Sequence, residues 1–139
     1  MSLKNEDFEV LIVDDDDMTV FLHDVHVKET QFHPAPKSFY NGNDVVDYLK
    51  TYYNVKKQYC ILLDINMPIL SGWEVMDAII ENGMDKNIAV IVLTSSINTA
   101  DKIKSEQYDM VIDYVEKPLS EQRLLELKSE EKFKAFYTE

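Results

Sequence analysis

Phe8-Glu9-Val10-Leu11-Ile12-Val13-Asp14-Asp15-Asp16-Asp17 sets five apolar residues in six against four consecutive carboxylates. The apolar run does not alternate with polar residues, so it reads as a strand buried on both faces, as in a parallel sheet. Tyr59 to Leu63 and Ile88 to Leu93 have the same form. Met110 to Val115 is a weaker fourth run, and Lys37 to Tyr40, just before Asn41-Gly42, is a fifth. Helical spacing lies between them. Met18, Phe21, Leu22 and Val25 sit at i, i+3, i+4 and i+7, and Val45, Val46, Leu49 and Tyr53 follow a similar stripe. Trp73, Met76, Ile79 and Ile80 do so again. The polar segment Ile97 to Gln107 is a weaker helix, and Ser120 is placed to cap a fifth that carries Leu124, Leu125 and Leu127. Strand followed by helix, five times over, predicts an α/β doubly wound fold with a five-stranded parallel sheet and right-handed crossovers.

The 139 residues suit one domain, and three glycines and four prolines leave no flexible linker. Hydrophobic residues make up 45%, enough for a real core rather than a disordered acidic tail. The formal net charge is −12, which disfavours phosphate backbones of nucleic acid and anionic membrane surfaces. Cationic partners fit better, divalent metals among them. A single cysteine, Cys60, forms no internal disulfide, which suits a reducing compartment. There is no signal-peptide core and no apolar run of bilayer-spanning length. The expectation is a soluble, cytoplasmic, single-domain protein.

In an open parallel sheet, ligands bind beyond the carboxyl ends of the strands. Those ends carry Asp14 and Asp15, Asp64, Thr94 and Ser95, and Glu116-Lys117-Pro118. Clustered carboxylates raise one another's pKa unless a cation intervenes. A hard ion with oxygen ligands resolves the repulsion, and Mg²⁺ suits two carboxylates, a carbonyl and waters. With Lys117 and a hydroxyl opposite, the pocket favours phosphoryl transfer by positioning and charge. A carboxylate can itself be the nucleophile, giving an aspartyl phosphate.

Val13-Asp14-Asp15, Leu63-Asp64-Ile65-Asn66-Met67-Pro68, Leu93-Thr94-Ser95 and Tyr114-Val115-Glu116-Lys117-Pro118 resemble the receiver domain of two-component response regulators, of the single-domain, chemotaxis-regulator-like type. Each motif alone is weak, but four in order on the right strand ends are specific. The resemblance spans residues 7–128 and implies the sheet order 2-1-3-4-5, a flavodoxin-like (βα)5 fold. It implies that Asp64 is the phosphoacceptor. Asp15 would bind Mg²⁺ directly, Asp14 through water, and Asn66 through its backbone carbonyl. Thr94 would bond the phosphoryl group and move on activation, with the Ser95 N–H assisting. Lys117 would pair with the phosphoryl oxygens, Tyr114 would swing inward, and the bond before Pro118 would be cis. The implied protein is a phosphoprotein of a phosphorelay rather than an enzyme acting on a separate substrate. A histidine kinase or histidine phosphotransfer protein would supply the phosphoryl group. A downstream protein or a phosphorylation-dependent homodimer would read the helix4-strand5-helix5 face. No output domain is expected, and the fifth helix is expected to continue towards 139.

Plainer readings stand beside these. Asp14 to Asp17 also suit a solvated helix N-terminus, the reading preferred for Asp16 and Asp17. Tyr114 also suits ordinary packing. His23 and His26 are expected on a helix surface, His33 in a loop and Cys60 inside a strand. Phe133, Phe136 and Tyr137 either cap the core or extend the last helix towards a partner. The rival function is a haloacid dehalogenase-like Mg²⁺ phosphatase, but that chemistry needs a second aspartate as general acid where this chain has Asn66. A receiver reduced to a binding module would have lost pocket residues, and none of the core groups is missing.

Overall fold

A computed structural model describes residues 5–137. Five strands, β1 (Phe8–Val13), β2 (Lys37–Phe39), β3 (Gln58–Asp64), β4 (Ile88–Thr94) and β5 (Val111–Glu116), form one sheet in the order β2-β1-β3-β4-β5. Every pairing is parallel. The helices α1 (Asp17–Glu29), α2 (Gly42–Tyr52), α3 (Gly72–Glu81), α4 (Thr99–Glu106) and α5 (Glu121–Leu127) alternate with the strands.

The absence of alternation in the apolar runs now has its cause. Leu11 and Val13 of β1 pack with Val45 and Leu49 of α2 and with Val75 and Ile79 of α3. Phe8, Val10 and Ile12 turn the other way, onto Val20 and Val27 of α1 and Leu124 and Leu127 of α5. Burying each such side chain stabilises by about 1.5–3 kcal/mol, so both faces of the central strands select for Val, Ile and Leu. Glu9 is the one acidic residue in β1. It is buried, but one oxygen accepts the Tyr48 hydroxyl at 2.6 Å and the other the Lys57 ammonium at 2.7 Å.

Three expectations need correction. The α1 stripe Met18, Phe21, Leu22 is not the core face: Met18 is 74% and Phe21 65% exposed, and Leu22 is also exposed. The buried face is Val20, His23 and Val27. His23 is therefore interior rather than on the surface; it lies one turn from both valines, so the side that docks on the sheet carries it inside. His33, expected in a loop, does lie outside the helices and strands, but it is buried, and Nε2 lies 2.7 Å from the Phe8 carbonyl.

The third correction concerns the last helix. α5 ends at Leu127 and does not continue towards 139. Turns and a 3-10 turn at Lys134–Phe136 follow, and residues 138–139 lie outside the described region. The chain leaves the helix because its aromatics pack back on the sheet. Phe133 is fully buried, Phe136 stacks on Phe8 at 4.7 Å, and the Tyr137 hydroxyl donates to the Phe32 carbonyl at 2.5 Å. Of the two readings of these aromatics, the core cap holds.

Elsewhere the elements follow the local signals. Ser120 caps α5 by accepting from Arg123 N–H, and Asp16 caps α1 by accepting from Met18 N–H. Cys60 is buried in β3 and unpaired, and burial pushes its thiol pKa up. α4 is the least anchored helix, with Ser105 its only buried residue. Among the described residues no helix is long and apolar enough to cross a membrane.

Candidate functional site

The carboxyl ends of β1, β3, β4 and β5 lie side by side, and backbone pairing runs one residue past β1, β3 and β5. Asp14 N–H donates to the Phe39 carbonyl at 3.1 Å, Ile65 N–H to Leu93 at 3.1 Å, and Lys117 N–H to Thr94 at 2.8 Å. The side chains that leave these ends therefore start from fixed backbone. One ligand atom from each of Asp14, Asp15 and Asp64 lies within 4.8 Å of the others. Asp14 and Asp64 are buried, and Asp15 is exposed at the rim.

Lys117 reaches into this cluster. Its Nζ lies 3.0 Å from Asp14 Oδ2 and 3.4 Å from Asp64 Oδ2. Burial alone would lower the ammonium pKa, but the Asp14 bond and the charges of Asp14 and Asp64 outweigh it and hold it above the usual value. Burial acts the other way on Asp64. It pushes that carboxyl up to about 6, and Asp14's charge adds to the rise, while the Asn66 N–H and Lys117 pull it back. One ammonium thus faces three carboxylates, an imbalance that leaves room for a hard cation.

The second oxygen of each buried carboxylate is tied to its own loop. Asp14 Oδ1 accepts Asp16 N–H at 2.9 Å, and Asp64 Oδ1 accepts Asn66 N–H at 3.0 Å. The β3–α3 loop is tight. Ile69 sits at φ 70° between Pro68 and Leu70, whose N–H donates to the Pro68 carbonyl at 2.8 Å, so the chain makes a γ-turn that a β-branched residue rarely adopts. The helix after it needs glycine. A Cβ on Gly72 would stand 2.7 Å from the Asp64 carbonyl oxygen, too close for any other residue without a shift.

Thr94 is buried, and its hydroxyl donates to the Ser96 carbonyl at 2.9 Å; Ser95 is exposed beside it. Tyr114 is half-buried on β5, with its hydroxyl 3.2 Å from Asn98 N, and Asn98 caps α4. The Lys117–Pro118 bond is cis. Asp16 and Asp17 stay outside the cluster, with Asp16 bonded to Thr19 at 2.6 Å. What sequence reading missed is a histidine pair on α1. His23 Nε2 accepts the Leu119 N–H at 2.9 Å, and His26 Nδ1 lies 3.0 Å from the Leu119 carbonyl oxygen. Their spacing of three on one helix was the available signal.

Comparison with known proteins gives a consistent result. The family model for the response regulator receiver domain matches residues 10–128. A solved two-component response regulator from Cytophaga hutchinsonii is 31% identical with a TM-score of 0.81, over 94% of this chain and 98% of that one. A receiver domain protein from Methanospirillum hungatei is also 31% identical, with a TM-score of 0.61 over 86% and 90% of the two chains. A receiver protein from Dyadobacter fermentans, 21% identical, shares the fold with a TM-score of 0.77, covering 87% of this chain and 94% of its own. No curated protein matches the chain significantly.

Proposed function

The chain belongs to the response regulator receiver family, and from that premise we propose that Asp64 accepts a phosphoryl group and that the protein is the switch of a phosphorelay. The observation that carries this reading is the meeting of Asp64 with Asp14, Asp15 and the Lys117 ammonium at the carboxyl edge of the sheet. Above pH 6 the Asp64 carboxyl is ionised and can act as a nucleophile. One of its oxygens attacks the phosphorus of a phosphorylated histidine, the new P–O bond forms as the P–N bond breaks, and the imidazole leaves. Asn66 N–H and Lys117 fix the Asp64 carboxylate, so little reorientation is needed before attack.

The donors present are all oxygen, which fits Mg²⁺. Asp14, Asp15 and Asp64, with the Asn66 backbone carbonyl, would hold it, and its charge would offset that of the carboxylates and of the incoming phosphoryl oxygens. Lys117 would turn from Asp14 towards the phosphoryl oxygens. Thr94 would exchange its bond to Ser96 for one to the phosphoryl group, assisted by Ser95 N–H, and Tyr114 would then leave Asn98 and move inward. The surface formed by α4, β5 and α5 is the output face, read by a downstream protein or by a second copy. The reaction is self-modification with slow hydrolysis, not turnover of a separate substrate.

The phosphodonor is a histidine kinase or histidine phosphotransfer protein. The exposed Met18, Phe21 and Leu22, with Pro118, line an apolar groove beside Lys117 that supports docking of such a protein next to Asp64. The test is incubation with acetyl phosphate and Mg²⁺, read by intact mass. Wild type should gain one phosphoryl group and Asp64→Asn none. Equal uptake by Asp64→Asn would refute the assignment.

A further inference from the structure

We infer that His23 and His26 are positioning residues for Lys117, acting as a two-point clamp on the backbone of Leu119. The inference rests on the reading of Asp64 as phosphoacceptor. His23 and His26 lie three apart on α1 and so share a face. His23 Nε2 accepts the Leu119 N–H at 2.9 Å, and His26 Nδ1 faces the Leu119 carbonyl at 3.0 Å. Both backbone groups of one loop residue are thus taken by side chains of one helix. The Leu119 side chain is fully buried among the residues that α1 and α5 place against the sheet.

The arrangement carries a cost that argues for a purpose. A backbone N–H can only donate, so His23 Nε2 must be the bare nitrogen and Nδ1 must carry the proton. That Nδ1 is buried without a partner among the described residues. An apolar residue at 23 would remove this cost but orphan the Leu119 N–H. Keeping a neutral histidine there favours the Leu119 bond over the cheapest packing.

Leu119 is two residues beyond Lys117. On the other side, Lys117 N–H is fixed to the Thr94 carbonyl at 2.8 Å. The lysine backbone is therefore held between an anchor on β4 and an anchor on α1. Only its side chain is free to choose between Asp14 and Asp64, at 3.0 and 3.4 Å. A lysine stem is flexible, so a fixed starting point decides whether the ammonium reaches the site. Releasing Leu119 lets the loop drift and the ammonium with it.

The test is a double-mutant cycle on phosphoryl uptake from acetyl phosphate with Mg²⁺, with folding checked by denaturant titration. His23→Leu removes the acceptor and should slow uptake about tenfold or more. His23→Gln restores an acceptor and should recover most of that loss. In a Lys117→Ala background His23→Leu should change uptake by less than about twofold, because the group it positions is gone. His26→Ala, at a partly exposed site, should show the same dependence on Lys117 if His23→Leu does not fold. Where Lys117→Ala is too slow to time, Mg²⁺ titration carries the cycle: freeing the ammonium from Asp14 and Asp64 should tighten Mg²⁺ in wild type and not in Lys117→Ala. Equal uptake by folded His23→Leu and wild type, or the same fold-loss with and without Lys117, would overturn the clamp. Wild type that takes up no phosphoryl group would instead refute the reading of Asp64, leaving the Mg²⁺ cycle to judge the clamp.

Discussion

The Tyr114 hydroxyl accepts the Asn98 N–H at 3.2 Å and so ties β5 to the cap of α4. Asn98 is also the residue whose side chain accepts Asp101 N–H at 2.8 Å to start the helix. One ring on the sheet edge thus borders the least anchored helix of the fold. The bond is exposed, so it is worth about 1 kcal/mol or less.

Tyr114→Phe should leave global stability within about 1 kcal/mol of wild type. It should speed amide exchange in the first turn of α4, because the tie to β5 is lost while the core is untouched. Amide hydrogen exchange followed by mass spectrometry checks this. Unchanged exchange at 98–102 would show that the tyrosine does not restrain the helix.

Mg²⁺ binding should weaken as pH falls through about 6. Burial and the charge of Asp14 raise the Asp64 carboxyl to about 6, so below that value a proton must leave before the ion binds. The expected loss is about tenfold per pH unit once Asp64 is mostly protonated. Titrations at pH 7.5 and pH 5, read by calorimetry, measure it. An affinity unchanged between them would mean that Asp64 is not a ligand.

His23 should impose its own pH dependence on stability. Burial first, then the charges of His26 and Lys117, lower its ring pKa to about 4, against about 6.5 in an unfolded chain. Between those values the unfolded chain binds a proton that the folded protein refuses, so the contribution is full above about 6.5 and is lost as pH falls towards 4. The loss is on the order of 3 kcal/mol. Asp64 acts in the opposite sense over an overlapping range, since its raised pKa lets the folded state keep a proton that the unfolded chain gives up. Comparing wild type with His23→Gln isolates the histidine. The stability difference should move against wild type on acidification, and parallel curves would contradict a neutral, buried His23.

Much of the fold was legible because burial on both faces leaves a plain mark. Val10 to Val13 and Ile88 to Leu93 face opposite layers residue by residue, so no polar position breaks them. β5, half-buried at the sheet edge, gave the weaker run for the same reason. The α1 face was misread because Met18, Phe21 and Leu22 carry the same spacing that a core face would, and His23 counts as polar in any such pattern. The end of α5 was hidden too: Phe133 and Phe136 suit a helix face or a folded-back strap equally, and only their contact with Phe8 decides.

At the site, strand ends revealed which residues converge, since a parallel sheet brings every carboxyl end to one edge. Distances within that edge were not legible. Nothing in the sequence shows that Lys117 lies nearer to Asp14 than to Asp64, or that Leu119 is gripped from α1. Those depend on loop paths and on contacts between residues about a hundred positions apart.

Location of the phosphoryl group tests the central claim most directly. After incubation with acetyl phosphate and Mg²⁺, borohydride reduces an acyl phosphate to the alcohol and marks the residue that carried it. Peptide mapping should then find homoserine in place of Asp64 and nowhere else, with no mark when the metal is chelated. Homoserine at Asp14 or Asp15, or phosphate retained on a serine or threonine with Asp64 untouched, would contradict the account.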